Sequence, residues 1–148
     1  MTAEHATFVI DRTLAASVER VFAAWANPEK KRRWFACHAD WRTVAYELDF
    51  RVGGSERNVV VPPDGVPHVM SAHYFDIVPG ERIVYAYDMH VGDARISVSL
   101  VTVEFAARAG KTRMTFTEQV VILDGLGDVA DRRAGTELGL ARLDGELV

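Results

Sequence analysis

The stretch HYFDIVPGERIVYAYDM, residues 73–89, places two runs of β-favouring residues around Pro79-Gly80 and reads as an antiparallel hairpin. Tyr85, Tyr87 and Met89 alternate with Ala86 and Asp88, so the three share one face of the second strand. Further turn signals stand on both sides at Gly53-Gly54, Pro62-Pro63-Asp64-Gly65, Gly92-Asp93 and Ala109-Gly110. They divide the middle of the chain into six strands, over residues 43–51, 55–61, 68–77, 82–90, 95–107 and 112–121. Turns this short favour an antiparallel meander, because parallel neighbours need long crossovers.

Before the meander, TFVIDRTL (residues 7–14) reads as a first strand, with Phe8, Ile10 and Arg12 on one side. Ser17 then stands as the N-cap of a helix in which Val18, Val21, Phe22 and Trp25 recur at helical spacing. Arg20 takes the place of the Glu or Gln that would complete a capping box. Asn27-Pro28 breaks this helix and opens a second, over residues 29–35. After Leu123-Asp124-Gly125 comes a long helix whose stripe is Val129, Arg133, Thr136, Leu140, Leu143 and Leu147. Gly135, Gly139 and Gly145 weaken it, so packing must hold it, and small residues also permit close approach.

The order strand, two helices, six strands, helix defines an α+β helix-grip fold, a curved sheet closed over its C-terminal helix. At 148 residues the chain fits one such domain. Its net charge of −4 argues against binding to phosphate backbones, and the basic run from Lys30 to Arg33 reads as the solvated face of a short helix. Charge interrupts every apolar stretch, so no membrane span is expected, and the N-terminus lacks a signal pattern. The single cysteine, Cys37, excludes an internal disulfide and fits a reducing compartment, which points to the cytoplasm.

Five stretches sharpen the reading: VFAAWANPEKKRRWF (21–35), ELDFRVGG (47–54), the hairpin above, SVSLVTVEF (97–105) and TRMTFTEQ (112–119). In this order the chain resembles the START-like (SRPBCC, Bet v 1-like) superfamily. Within it, the chain is similar to bacterial proteins related to the C-terminal domain of the heat-shock-protein-90 ATPase activator. The resemblance implies a cavity between sheet and helix; relatives of this fold bind lipids, hormones or polyketides, and some are cyclases or aromatases. A chaperone role is not expected to carry over, since the eukaryotic activator has an additional N-terminal domain not present in this sequence.

Chemistry is less legible. His5, His38, His68, His73 and His90 show no ligand spacing, so no metal or cofactor is expected, and Cys37 beside His38 reads as an ordinary thiol. Nucleophile-elbow, phosphate-loop and dinucleotide motifs are absent from the sequence. Glu118 stands out, because it shares strand parity with Met114, Phe116 and Val120 on an otherwise apolar face. It is expected to be partly buried. Burial would raise its pKa unless a base pairs with it, and the candidates are Arg57, Arg95 or the terminal helix. A structural ion pair and a ligand-binding or acid/base role both remain open.

Ser97 and Ser99 continue the parity of Val101, Val103 and Phe105, which sets two hydroxyls towards the cavity mouth unless the faces reverse there. Trp34, Phe35 and Trp41 flank the loop after the short helix as candidate lid residues, and Tyr85, Tyr87 and Met89 are candidate lining. Trp25 is assigned to the core. The expected ligand is a small hydrophobic molecule. An enzyme of the cyclase or dehydratase type, or a homodimer formed through Ile96, Val98 and Leu100 on the outer face, are the alternatives.

Overall fold

The computed structural model describes residues 1–35 and 39–147. Seven strands form one antiparallel sheet in the order β1-β7-β6-β5-β4-β3-β2, where β1 is Ala3–Leu14, β2 Arg42–Leu48, β3 Ser55–Val61, β4 His68–Val78, β5 Arg82–Val91, β6 Ala94–Arg108 and β7 Lys111–Leu123. The helices are α1 (Val18–Ala26), α2 (Pro28–Trp34) and α3 (Val129–Glu146). The helix-grip reading stands. Among the described residues no helix is long and apolar enough to cross a membrane.

Alternation along the strands separates an inner from an outer face. Met114, Phe116, Glu118, Val120 and Ile122 of β7 are buried, as are Ser97, Ser99, Val101, Val103 and Phe105 of β6 and Ile83, Tyr85 and Tyr87 of β5. A bulge between Thr43 and Ala45 bends the edge strand β2, and two more bend the middle of the sheet: Tyr74 and Asp76 flank the first, and the register shifts again between Met89 and His90. Because Ser97 still pairs with Met89, this last bulge lies beyond the serines, which therefore keep the inward parity of Val101. Between β2 and β3 the chain turns at Gly54, where an added Cβ would stand 2.1 Å from the carbonyl oxygen of Asp49, so only glycine fits.

Several boundaries move. β1 begins four residues before the expected start, because Ala3–Ala6, too polar to read as a strand, pair with the end of β7. β2 stops at Leu48, since Asp49 and Arg51 enter the turn through the bonds Arg51 N to Asp49 O and Gly54 N to Arg51 O. Asn27 caps α2 by accepting from the amides of Glu29 and Lys30, which starts that helix at Pro28. Ser17 caps α1 by accepting from the amide of Arg20. Arg20, in turn, donates to the carbonyl of Leu147 at 2.8 Å and ties α1 to the end of α3.

Two sequence readings of charged residues are corrected. Lys31, placed on a solvated helix face, is completely buried, because it lies three residues before Trp34 on the side of α2 that meets the sheet. On α3 the inward position is held by Arg132, not Arg133, which is exposed. The stripe is thus Val129, Arg132, Thr136, Leu140, Leu143 and Leu147, still three and four apart. Only Leu140 and Leu143 within α3 are buried, and both lie in its second half. Of the three helix glycines only Gly139 sits against a neighbour, the carbonyl of Trp34, while Gly135 and Gly145 face open space.

Candidate functional site

Glu118 is 1% exposed and gathers the polar groups of the inner face around it. Tyr87 donates to its Oε2 at 2.6 Å, Ser99 at 2.7 Å, and Nη1 of Arg132 at 3.3 Å. Arg132 reaches down from the first half of α3, donating also to the Tyr87 hydroxyl at 3.0 Å and, through Nη2, to Ser97 at 2.6 Å. Its guanidinium lies over the Tyr87 ring, 5.7 Å from the centroid. The sheet dictates this convergence: Tyr87 pairs with Ser99, Met89 with Ser97, and Val101 with Glu118. Of the three bases proposed from sequence, the terminal helix supplies the partner.

The electrostatics fix the charge of the base. Burial works to lower the Arg132 pKa, but the oxygens of Tyr87 and Glu118 outweigh it and the value is raised. Tyr87 is pushed above the ordinary phenol range, first by burial and then by Glu118, so it stays a donor. All the described bonds to the Glu118 carboxylate fall on Oε2; none reaches Oε1.

The structure brings Tyr87, Ser97, Ser99 and Glu118 into this one cluster, with Met89 partly buried opposite Ser97 and Tyr85 buried in the next inward position along β5. It does not bring the other three there. Trp34 is core: it meets Trp25 edge-on at 4.8 Å and donates from Nε1 to the carbonyl of Ala24, a bond that a moving lid residue would lose. Phe35 is half-buried beside Trp34 and Tyr46, and Trp41 packs against His68 at 4.7 Å, at the β2 edge of the sheet. The Cys37 and His38 readings lie outside the described residues.

A second buried cluster escaped the sequence reading. Lys31 Nζ lies 2.9 Å from Oε1 and 2.8 Å from Oε2 of Glu56, and donates to Tyr74 at 3.1 Å. Tyr74 and Tyr46 donate to the two carboxylate oxygens at 2.8 and 2.5 Å. The rings of Phe35, Trp25, Tyr85, Tyr74 and Trp34 surround the ammonium at 4.5 to 6.0 Å. Burial lowers the lysine pKa against the pull of Glu56. The available sequence signal was parity, since Glu56 alternates inward with Asn58 and Val60.

Neither of two outer concavities touches these clusters. One, of about 470 Å³, lies between β1 and α3 and is lined by charged residues including Asp11, Arg12, Arg133 and Glu137; the other, of about 320 Å³, runs along Arg82, Glu104 and Arg113. Inside, Tyr87, Ser97, Ser99, Glu118 and Arg132 bridge sheet and helix by direct hydrogen bonds, which closes that end of the interior.

A bent antiparallel sheet with polar groups converging inside it, under a terminal helix, defines the helix-grip class of START-like proteins. The chain belongs to the family described as activator of Hsp90 ATPase homolog 1-like protein, whose pattern matches residues 15–147. It is similar to an uncharacterized protein from Rhizobium leguminosarum, with 57% identity over 99% of this chain and 96% of that one and a TM-score of 0.95. The Mll3558 protein from Rhizobium loti is 37% identical over 99% of this chain and 100% of that one, with a TM-score of 0.92. An AHSA1-like protein from Aeromonas hydrophila shares the fold at 22% identity, covering 95% of this chain and 91% of that one, with a TM-score of 0.72. No protein of curated function matches.

Proposed function

We propose that the chain binds a small, largely apolar molecule on the inner face of the sheet, beneath the first half of α3, with Glu118 and Arg132 holding its polar group. The observation that carries this reading is the one-sided bonding of Glu118. Three donors crowd onto Oε2 while Oε1 has none among the described bonds, and Oε1 is not sealed from solvent as Trp25 Nε1 is, so it can receive a donor from an incoming molecule. Tyr85, Tyr87 and Met89 supply apolar lining beside it. Entry requires the first half of α3 to lift, and that half has no fully buried side chain to hold it.

Native mass spectrometry of protein purified from its host tests the reading. The wild-type chain should carry a noncovalent small molecule that Arg132→Met loses. A wild-type chain at its bare mass that also binds no apolar fluorescent probe would contradict it. The same Oε1 supports a second reading, proton transfer of the cyclase or dehydratase kind, for which Glu118→Gln must abolish turnover. Val98 and Leu100 are exposed on the outer face and support a homodimer, which a monomeric mass in light scattering at working concentration would exclude.

A further inference from the structure

The cleft of about 470 Å³ between β1 and α3 has four consecutive strand residues, Ile10 to Thr13, as one wall and Arg133, Glu137 and Asp144 as the other. Successive residues of a strand point to opposite faces, so four in a row share a cleft only where it runs along the strand's edge. β1 is the end strand of the sheet, and that edge has no partner strand. The bond from Asp124 N to Thr2 O makes the even-numbered residues of β1 the ones that bond β7, because bonding alternates along an antiparallel pair. Val9, Asp11 and Thr13 therefore aim their N–H and C=O groups outwards. Arg133 donates to the Val9 carbonyl at 3.2 Å, so this edge faces α3. The amides and carbonyls of Asp11 and Thr13, next in the same row, have no backbone partner among the described residues.

Most charges of the cleft already have partners. Arg133 pairs with Glu137 at 3.0 Å, and Asp11 accepts from Arg113 at 3.3 Å and Thr115 at 2.7 Å. Two remain: the half-buried side chains of Arg12 and Asp144 make no hydrogen bond or ion pair among the described residues. One spare cation, one spare anion and a row of unused backbone groups fit a zwitterion that carries peptide groups of its own. We propose that the cleft binds short peptides with free ends, two or three residues long, laid as an added strand on the edge at Asp11 and Thr13, with the carboxylate on Arg12 and the ammonium on Asp144. A lone amino acid would leave edge groups unfilled, since Asp11 and Thr13 stand about 7 Å apart. A blocked or internal segment would leave both charges bare. The volume suits a ligand of this size. Leu140 and Leu143, buried between Glu137 and Asp144, hold that wall in place, so binding needs no opening and is independent of the inner-face site.

The test titrates trialanine into the labelled chain and follows amide resonances. Those of Asp11 and Thr13 should move most, and those of Ile10 and Arg12, already bonded to β7, should move less. Acetylating the peptide's amine should weaken binding to wild type about tenfold, and amidating its carboxylate likewise, the contribution of one charge-assisted bond. Asp144→Asn should bind free and acetylated trialanine alike, and Arg12→Gln should bind free and amidated trialanine alike. Neither substitution removes a bond found among the described residues, so both variants should unfold at the wild-type temperature. Trialanine blocked at both ends that binds wild type as tightly as the free peptide overturns the roles of Arg12 and Asp144. An absence of shifts at Asp11 and Thr13, or shifts only at Met89 and Val120 on the inner face, overturns the site.

Discussion

Two buried ion pairs among the described residues share one sheet face, and they are built differently. Around Lys31 and Glu56 both carboxylate oxygens and the ammonium have hydrogen-bond partners, both side chains are wholly shielded, and five aromatic rings complete the enclosure. Around Arg132 and Glu118 the base is 12% exposed, one carboxylate oxygen carries the bonds, and the helix that delivers the arginine has its fully buried side chains only in its other half. The contrast separates a fastener from a site. A closed network ties α2 to β3 and β4 and offers nothing to a newcomer, whereas an open one at a loosely held helix can exchange a partner.

Breaking the closed pair should have the largest effect. Lys31→Met leaves Glu56 charged and buried, and chemical denaturation should show a loss of about 3 to 5 kcal/mol. The double change Lys31→Met with Glu56→Leu should recover most of that loss; if it does not, the pair is not the fastener described. Alkaline pH comes next. All four tyrosines have folded pKa values raised above 10.0, chiefly by burial, so their contribution to stability is whole below pH 10 and is lost as pH rises above it. The slope is about 1.4 kcal/mol per pH unit for each deeply buried phenol. Lys31 acts in the opposite direction, its lowered pKa favouring the fold as pH rises towards 10.5, but it stands alone against four. Tyrosinate absorbance should therefore appear in one cooperative step together with unfolding. A gradual phenol titration in the folded chain would show that the interior admits hydroxide.

Opening the second pair should cost less. Arg132→Met or Tyr87→Phe removes bonds at the partly exposed end, for an expected loss of about 1 to 3 kcal/mol, and Arg132→Met should speed amide exchange in the first half of α3 more than in the second. Equal exchange in both halves would remove the distinction between them. The smallest effect is stabilising: Gly135→Ala meets no neighbour and should add up to about 1 kcal/mol in thermal unfolding.

The fold was legible because the long strands β6 and β7 alternate and the turns between strands carry glycine or proline, down to Gly54, where no other residue fits. Glu118 was legible for the same reason, as a lone carboxylate on an apolar parity. Its partner was not. Arg132 and Arg133 are adjacent and both fit helical spacing, so only packing against Ser97 and Tyr87 decides which one turns inward. Lys31 was hidden inside a run of four basic residues, where composition suggests solvent and only the position of Trp34 one turn later says otherwise. Tyr46 and Glu56 belong to different strands, and a single sequence does not disclose that α2 lays a lysine against the same carboxylate that Tyr46 bonds.

The most direct test of the claim that the open pair is a ligand site is methyl NMR during titration with an apolar fluorescent probe. The account predicts shifts at Met89, Val101, Val120 and Val129, around Glu118 and Arg132, with Val59 and Val60 beside the closed pair unmoved. Shifts confined to Val98 and Leu100 on the outer face, or at Val59 and Val60 alone, would contradict it.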